Sequence, residues 1–124
     1  MDALGRHLLL ELGDCNPETL NDVDILRDCL CEAARTAGAT VVGEAFHRFS
    51  PHGVSGVVII SESHLSIHSW PEFGYAAADI FTCGTSTDPL KAAQFIIDKL
   101  ESRQPSVTEM KRGILLKVPV GKGR

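Results

Sequence analysis

Residues 61–72 constrain the fold and the chemistry of this chain more than any other stretch. Their twelve positions hold four serines, two histidines, a tryptophan and two glutamates, while Leu65 and Ile67 give the apolar alternation of a β-strand. A strand that served only to fill a core would carry valine, isoleucine or leucine at these places. The stretch therefore predicts a β-strand with one chemically equipped face, supported by the rest of the chain.

Strand patterns separated by turn residues flank this stretch on both sides. Strands are predicted over residues 5–12, 40–50, 54–60, 64–70, 75–83 and 106–118. Helices are predicted from residue 22, with Asn21 as the N-cap, to about residue 37, and from the Asp88 and Pro89 start to about residue 102. The resulting β-α-β-β-β-β-α-β order predicts an α+β fold, a two-layer sandwich with a mainly antiparallel sheet and helices on one face. The other face of the sheet needs a cover, so we expect a homodimer.

Length, charge and cysteine positions exclude several classes of protein. At 124 residues the chain is expected to form a single domain, 1–124. A formal net charge of −4 argues against a nucleic-acid partner, which usually requires a basic face. No apolar run reaches the roughly 18–20 residues of a membrane span and no signal-peptide core is present, so we expect a cytoplasmic protein without a membrane partner. Cys29 and Cys31 would face different ways on a helix, which fits neither a metal clip nor a disulfide.

Two common kinds of site fit the central stretch poorly. A metal site would use His64 and His68 with Glu62 or Glu72, but the two histidines would lie about 13 Å apart along a strand. That distance is too long for one ion, so we predict no metal. A serine hydrolase would need a Gly-x-Ser-x-Gly elbow between a strand and a helix, and the sequence contains none.

The junction between Glu62 and Ser63 favours a third interpretation. A strained peptide that precedes a serine, with a histidine nearby, can rearrange when the hydroxyl attacks the preceding carbonyl and the resulting ester undergoes β-elimination. The chain is then cut and the serine becomes a pyruvoyl group. Such a ketone can act as an electron sink once it condenses with an amine.

Several runs of sequence carry a resemblance to a known family. They are Leu-Gly-Arg-His-Leu at 4–8, Phe-His-Arg-Phe at 46–49, and the runs 53–72 and 75–84. Together they resemble the small prokaryotic class of S-adenosylmethionine decarboxylase proenzymes, with a dense match from residue 4 to about residue 100. The resemblance implies a two-layer sandwich, dimerisation, and decarboxylation of S-adenosylmethionine to the aminopropyl donor of spermidine synthesis.

The same resemblance implies that the chain cuts itself. Cleavage between Glu62 and Ser63 would give a β chain, 1–62, and an α chain, 63–124, which stay together as partners. Ser63 would become the pyruvoyl cofactor, with neither a metal nor pyridoxal phosphate required.

The resemblance also assigns roles to three further residues. His68, together with Ser55, would assist processing, and Cys83 would return a proton to the substrate α-carbon after carbon dioxide leaves. A cysteine with an ordinary pKa near 8.5 is a workable proton donor at neutral pH. Strict alternation, however, places Ser63 and His68 on opposite faces of one strand, so the backbone must kink near 62–64 or His68 must come from a neighbouring strand.

Substrate-binding candidates follow from the chemistry of S-adenosylmethionine. Aromatic faces attract its sulfonium cation, so Phe49, Trp70 and Phe73 are candidate walls, and Glu72 can accept hydrogen bonds from ribose hydroxyls. The remaining histidines are expected to be structural or exposed: His7, His47, His52 and His64.

Two alternative functions stay open at the level of sequence. The machinery that forms the pyruvoyl group is separable from the pocket that selects the amino acid, so the substrate could be ornithine or arginine. The chain could also be an uncleaved, non-catalytic partner that binds or activates a paralogue. Intact Ser63 and Cys83 argue against the second alternative.

Overall fold

A single antiparallel sheet with helices on one face forms the protein in the computed structural model, which describes residues 3–115. The sequence-based fold class is confirmed. The elements are β1 (Gly5–Gly13), α1 (Pro17–Leu20), α2 (Val23–Thr36), β2 (Val41–Arg48), β3 (Val54–Ile60), β4 (Ser63–Trp70), a 3-10 turn (Pro71–Phe73), β5 (Tyr75–Cys83), α3 (Pro89–Lys99) and β6 (Gln104–Arg112). The strand order across the sheet is β2-β3-β4-β5-β1-β6. Strands β2 to β5 follow one another as hairpins, and β1 then separates β5 from β6.

Alternate residues of the inner strands build the core against the helices. The buried strand residues include Leu8, Leu10, Leu12, Val54, Val58, Ile60, Leu65, Ile67, Ala76, Ala78 and Ile80. They pack in one cluster with helix residues, among them Leu26 and Leu30 of α2 and Ile96 of α3. This two-residue period is the reason that the intervening side chains of each strand point to the opposite face of the sheet.

The start of the first long helix corrects the sequence-based prediction. Asn21 was expected to be the N-cap, but Asp22 holds that position and its side chain accepts from the backbone nitrogens of Asp24 and Ile25 at 3.0 and 3.1 Å. An extra helical turn, α1, precedes it and is capped by Asn16, where the sequence indicated only a break. Asn21 is the C-cap of α1 and Asp22 is the N-cap of α2, so two neighbouring polar residues form two adjacent helix boundaries.

Other boundaries differ from the predictions by a few residues. Helix α3 begins as predicted, with Asp88 accepting from the backbone nitrogen of Leu90 and Pro89 in the first turn, but it ends at Lys99 rather than near 102. Glu101 ends it, because its φ of 55° lies in the left-handed region. The last strand was predicted over 106–118 and spans Gln104–Arg112, while residues 116–118 lie outside the described part of the chain.

The face of the sheet opposite the helices has no covering element among residues 3–115. It presents, for example, His64, Ser66 and His68 of β4 and Asp79 of β5, and it contains a shallow groove of about 730 Å³. We call this surface the open face. Within the same residues, no helix is long and apolar enough to cross a membrane.

Candidate active site

The scissile bond predicted from sequence lies in a tight hairpin turn. Ile60 pairs with Ser63, so Ser61 and Glu62 alone connect β3 to β4. Glu62 adopts a φ of 75°, in the left-handed region that residues other than glycine rarely occupy. Such a conformation costs on the order of 1–3 kcal/mol and persists only where surrounding structure imposes it. The left-handed conformation lies in the turn at Glu62, while β4 itself, from Ser63 onward, shows no kink that would bring His68 to Ser63.

Ser63 has a hydroxyl group with no hydrogen-bond partner within the described part of the chain. Its Oγ is nevertheless buried, on the helix-facing side of β4 together with Leu65 and Ile67. Buried hydroxyls are normally paired, since leaving one unpaired costs about 1–3 kcal/mol. Because Ser63 directly follows Glu62, its Oγ lies close to the carbonyl group of Glu62. Within the described part of the chain, no hydrogen bond holds this oxygen in another position.

Cys83 lies at the same end of the sheet as Glu62 and Ser63. It ends β5, where it pairs with Gly5 of β1, and the register of β5 with β4 places Phe81 beside His64. A Cβ built on the next residue, Gly84, would lie 4.0 Å from Oε2 of Glu62. Among the four cysteines, Cys83 is the one that is only partly buried. We call the group of Glu62, Ser63 and Cys83 the cleavage end.

Ser55 and His68 lie side by side. The family resemblance implies that they act together in self-cleavage. They are register partners on β3 and β4, and Oγ of Ser55 is 2.5 Å from Nδ1 of His68. Both side chains border the groove on the open face. The hydroxyl can donate to Nδ1 or accept from it, so it orients the imidazole ring in either tautomer.

An aromatic row extends across this second end of the sheet. The ring of His68 lies 4.3 Å from Trp70 and 5.8 Å from Phe49, measured between centroids. Tyr75 continues the row, 5.4 Å from Trp70, and His47 flanks Phe49 at 4.6 Å. The sequence analysis identified Phe49 and Trp70 but missed Tyr75, which the turn at 71–74 pairs with Trp70.

The third aromatic candidate and the candidate carboxylate lie on the 3-10 turn that follows β4. Phe73 is 76% exposed and makes no ring contact with the row, so the structure separates it from Phe49 and Trp70. Oε2 of Glu72 is 3.2 Å from Nε2 of His52, a residue expected to be merely structural or exposed. We call the group of Phe49, Ser55, His68, Trp70 and Glu72 the aromatic end.

The two ends are too far apart to act together within one chain. Ser63 and His68 are at opposite ends of β4, and five residues of strand span roughly 16 Å. They also face opposite sides of the sheet, as the sequence alternation predicted. The irregularity at Glu62 does not change this, because β4 runs without interruption from Ser63 to Trp70.

A polar network occupies the middle of the open face. Oδ2 of Asp79 lies 2.6 Å from Nε2 of His7 and 3.4 Å from Nε2 of His64, and its other oxygen accepts from the hydroxyl of Ser66. Arg112 lies 2.9 Å from Nδ1 of His7 and can only donate, so Nε2 of His7 carries the hydrogen that Asp79 accepts. Burial alone would raise the pKa of Asp79, but the hydrogen bonds and the nearby histidines lower it below the usual value.

This network is also the place where the described residues come closest to metal-ligand spacing. The ligand atoms of His7, His64 and Asp79 lie within 4.8 Å of one another. A metal ion would, however, need the Nε2 of His7, which is hydrogen-bonded to the carboxylate. The sequence analysis weighed His64 and His68 as the two histidine ligands. In the structure His64 instead shares the carboxylate of Asp79 with His7.

Comparison with known proteins identifies the family. The family model for S-adenosylmethionine decarboxylase matches residues 6–113. The S-adenosylmethionine decarboxylase proenzyme of Thermodesulfovibrio yellowstonii is 55% identical over 93% of this chain and 85% of its own length. That of Caldicellulosiruptor saccharolyticus is 53% identical over 92% of both chains. The crystal structure of the adenosylmethionine decarboxylase from Aquifex aeolicus superposes with a TM-score of 0.87 at 33% identity, covering 96% of this chain and 98% of the other. The chain therefore belongs to the S-adenosylmethionine decarboxylase family.

Proposed function

We propose that this chain is a proenzyme that cuts itself between Glu62 and Ser63 and then decarboxylates S-adenosylmethionine. The observation that carries the proposal is the buried, unpaired Oγ of Ser63 beside a left-handed Glu62 in a two-residue turn. The names of the relatives agree with it, since they are proenzymes of this activity.

The cleavage uses atoms of the turn itself. Oγ of Ser63 attacks the carbonyl carbon of Glu62, an ester bond forms, and the peptide carbon–nitrogen bond breaks as the nitrogen gains a proton. Loss of the α-proton of Ser63 then expels the Glu62 carboxylate, which ends the chain 1–62. Water replaces the nitrogen of residue 63 and ammonia leaves, so that the chain 63–124 begins with a ketone. Relief of the left-handed strain at Glu62 favours the cut product.

The pyruvoyl group would supply an acceptor for the electron pair that remains when carbon dioxide leaves the substrate. Amino-acid side chains lack this capacity, which is the reason a decarboxylase needs such a group. Once the bond to Glu62 is broken, residue 63 is no longer confined to the helix-facing side of β4. The thiol of Cys83, at the same end of the sheet, is the group that can return a proton to the α-carbon.

The distance between the two ends supports a dimer in which each site is shared. If two open faces stack around a twofold axis that is perpendicular to the strands, the strand directions reverse and the cleavage end of one copy lies over the aromatic end of the other. His68 and Ser55 of the second copy would then lie over the strand ends that carry the bond between Glu62 and Ser63 and the thiol of Cys83 in the first. The open face is the surface that this arrangement would cover.

The aromatic end favours S-adenosylmethionine over the basic amino acids. Phe49, His68 and Trp70 form a row of rings that can hold an adenine or face a sulfonium cation. Glu72 can accept hydrogen bonds from ribose hydroxyls. Ornithine and arginine have no adenine to stack on these rings and no ribose hydroxyls to donate to this carboxylate. The uncleaved, non-catalytic alternative would leave the free Oγ of Ser63 without a role. A cytoplasmic location stays a prediction.

The decisive experiment measures cleavage and turnover on the same purified protein. We expect two fragments on a denaturing gel, and a mass for residues 63–124 that corresponds to an N-terminal ketone. Labelled carbon dioxide should be released from carboxyl-labelled S-adenosylmethionine but not from ornithine or arginine.

Ser63→Ala should remain intact and inactive, while the neighbouring Ser61→Ala should still be cut. Cys83→Ala should be cut but turn over about 100-fold or more slowly, the usual cost of losing an acid–base group. An active protein that is unbroken would overturn the proposal.

A further inference from the structure

Glu72 lies beside His52 on two turns just beyond the end of the β3–β4 pairing, where Val54 is the register partner of Ser69. Nε2 of His52 lies 3.2 Å from Oε2 of Glu72, and both side chains are more than one-third exposed, at 40% and 35%. We propose that His52 is a positioning residue, which fixes the Glu72 carboxylate where it accepts the ribose hydroxyls of the substrate. This inference rests on the proposed function and adds a specificity-determining contact to it.

His52 is presented by a loop that is fixed at its base. The loop follows β2, and its ends are joined by a hydrogen bond from the backbone nitrogen of Phe49 to the oxygen of Gly53 at 2.8 Å. The nitrogen of Gly53 donates in turn to Oδ1 of Asn21, and Nε of Arg48 donates to the backbone oxygen of the same residue. The position of His52 is therefore set by the helix layer as well as by the sheet.

Glu72 is presented by an equally fixed turn. Gly74 closes the 3-10 turn in a left-handed conformation, with its nitrogen donating to the oxygen of Pro71 at 3.1 Å. Its own oxygen accepts from the backbone nitrogen of Cys15 at 2.8 Å. The turn thus holds the backbone of Glu72, and the contact with His52 is the one that the described part of the chain shows for its side chain.

The position of this contact relates it to substrate binding more than to stability. The loop of His52 also carries Phe49, whose ring lies 5.8 Å from His68, and the turn of Glu72 directly follows Trp70. The pair therefore joins the two segments that bracket the aromatic row. Exposed pairs of this kind contribute little to folding, in the range of about 0.2–1 kcal/mol. The same range corresponds to a change of up to about fivefold in a binding constant.

The test compares two substitutions of His52 that differ in one property. His52→Leu removes the hydrogen-bond donor, and His52→Gln keeps a neutral donor of similar length. We expect KM for S-adenosylmethionine to rise about three- to fivefold in the leucine variant and to stay near the wild-type value in the glutamine variant. Self-cleavage and kcat should stay within about twofold, because neither involves the Glu72 carboxylate. Arg35→Ala, which breaks an exposed ion pair with Glu32 on α2, is the matched control and should change neither constant.

Binding of 5′-methylthioadenosine to the mature enzyme provides a readout besides turnover, because this compound has the ribose but no amino acid. Its dissociation constant should follow KM across the variants. The effect of His52→Leu should vanish when Glu72→Gln is already present. If Glu72→Gln weakens binding and His52→Leu does not, the role of His52 is wrong and the proposed function stands. If neither variant changes the binding of the nucleoside, the ribose contact itself is wrong.

Discussion

At the scale of single residues, the four cysteines differ sharply in their surroundings. Cys15, Cys29 and Cys31 are buried, and Cys83 is partly exposed at the end of β5. Burial raises the pKa of the Cys29 thiol to about 12 and raises those of Cys15 and Cys31 in the same direction. Since the thiolate is the reactive form, burial makes these three thiols unreactive, while Cys83 is the more accessible one.

Alkylation therefore should distinguish Cys83 from the other cysteines. With iodoacetamide at pH 8, we expect the native protein to acquire its first modification at Cys83, as located by peptide mass spectrometry. Cys83→Ser should delay labelling until the protein is unfolded, whereas Cys29→Ser should leave the first modification unchanged. Faster labelling of Cys29 than of Cys83 in the native state would contradict the exposures that the structure assigns to them.

Tyr75, which continues the aromatic row beside Trp70, can be titrated individually because it is the only tyrosine in the chain. Burial, followed by its hydrogen bond to Glu11 and the charge of that carboxylate, raises its pKa to about 12. The stability that this shift represents is present below the ordinary pKa near 10 and is lost as pH rises toward about 12. Absorbance at about 295 nm should thus titrate near 12 in the native protein and near 10 in denaturant. Glu11→Gln should lower the native midpoint, and an identical midpoint in all three samples would refute the assignment.

The neighbours of individual residues were predictable where local chain geometry determines them. Once Ser61 and Glu62 are recognised as a two-residue turn, counting outward by equal steps pairs Ser55 with His68. The same count would bring His52 opposite Pro71, beside Glu72, but the strand pairing ends at Val54 and Ser69, so the count alone does not fix their side-chain contact. The partnership of His7 with Asp79 was missed because it requires β1 to lie beside β5.

At the scale of secondary structure elements, the pairing of β2 with β3 depends on a residue without a side chain. Gly56 lies opposite Phe46, and a Cβ built on Gly56 would come within 2.0 to 2.7 Å of three atoms of that ring. The ring is partly buried against the core, with the guanidinium of Arg27 above it at 5.4 Å from the centroid. It therefore has limited room to move away.

Gly56→Ala should destabilise the fold without altering the chemistry of the cleavage end. We expect a loss of about 1–3 kcal/mol in the free energy of unfolding, the usual cost of overpacking a filled site. Chemical denaturation of the uncleavable Ser63→Ala background would measure it without interference from processing. Gly43→Ala is the matched control in the same hairpin, since a Cβ there would meet only Ile59 Cδ1, at 4.0 Å. Equal stability of the two variants would show that Phe46 moves aside freely.

Element boundaries were predictable to within a few residues. Adjacent residues with similar capping chemistry, such as Asn21 and Asp22, leave the exact start of a helix undetermined by pattern alone. The order of strands along the chain was correct for β2 to β5, which are successive hairpins. The insertion of β1 between β5 and β6 depends on contacts distant in sequence, and no local pattern specifies it.

At the scale of the whole molecule, the separation of the two ends by roughly 16 Å along β4 leads to a test of the shared site. Ser63→Ala keeps His68 but lacks the nucleophile, and His68→Ala keeps the nucleophile but lacks the histidine. Each variant alone should stay largely uncut. When the two are co-expressed, heterodimers would place an intact Ser63 opposite an intact His68, so the His68→Ala chain should be cut and activity should return at one site per heterodimer. A tag of distinct mass on the His68→Ala chain identifies the cut product on a denaturing gel.

The control and the contradicting result for this last prediction are equally specific. When His68→Ala is co-expressed with a chain that carries both substitutions, neither chain has an intact His68, and no cleavage should occur. If the mixed single variants also stay uncut while size-exclusion chromatography shows that they associate, the site is not shared in the proposed way. If His68→Ala alone is cut at the wild-type rate, His68 does not assist processing. Restoration by mixing alone requires that each chain contributes one end, which is the arrangement that stacked open faces produce.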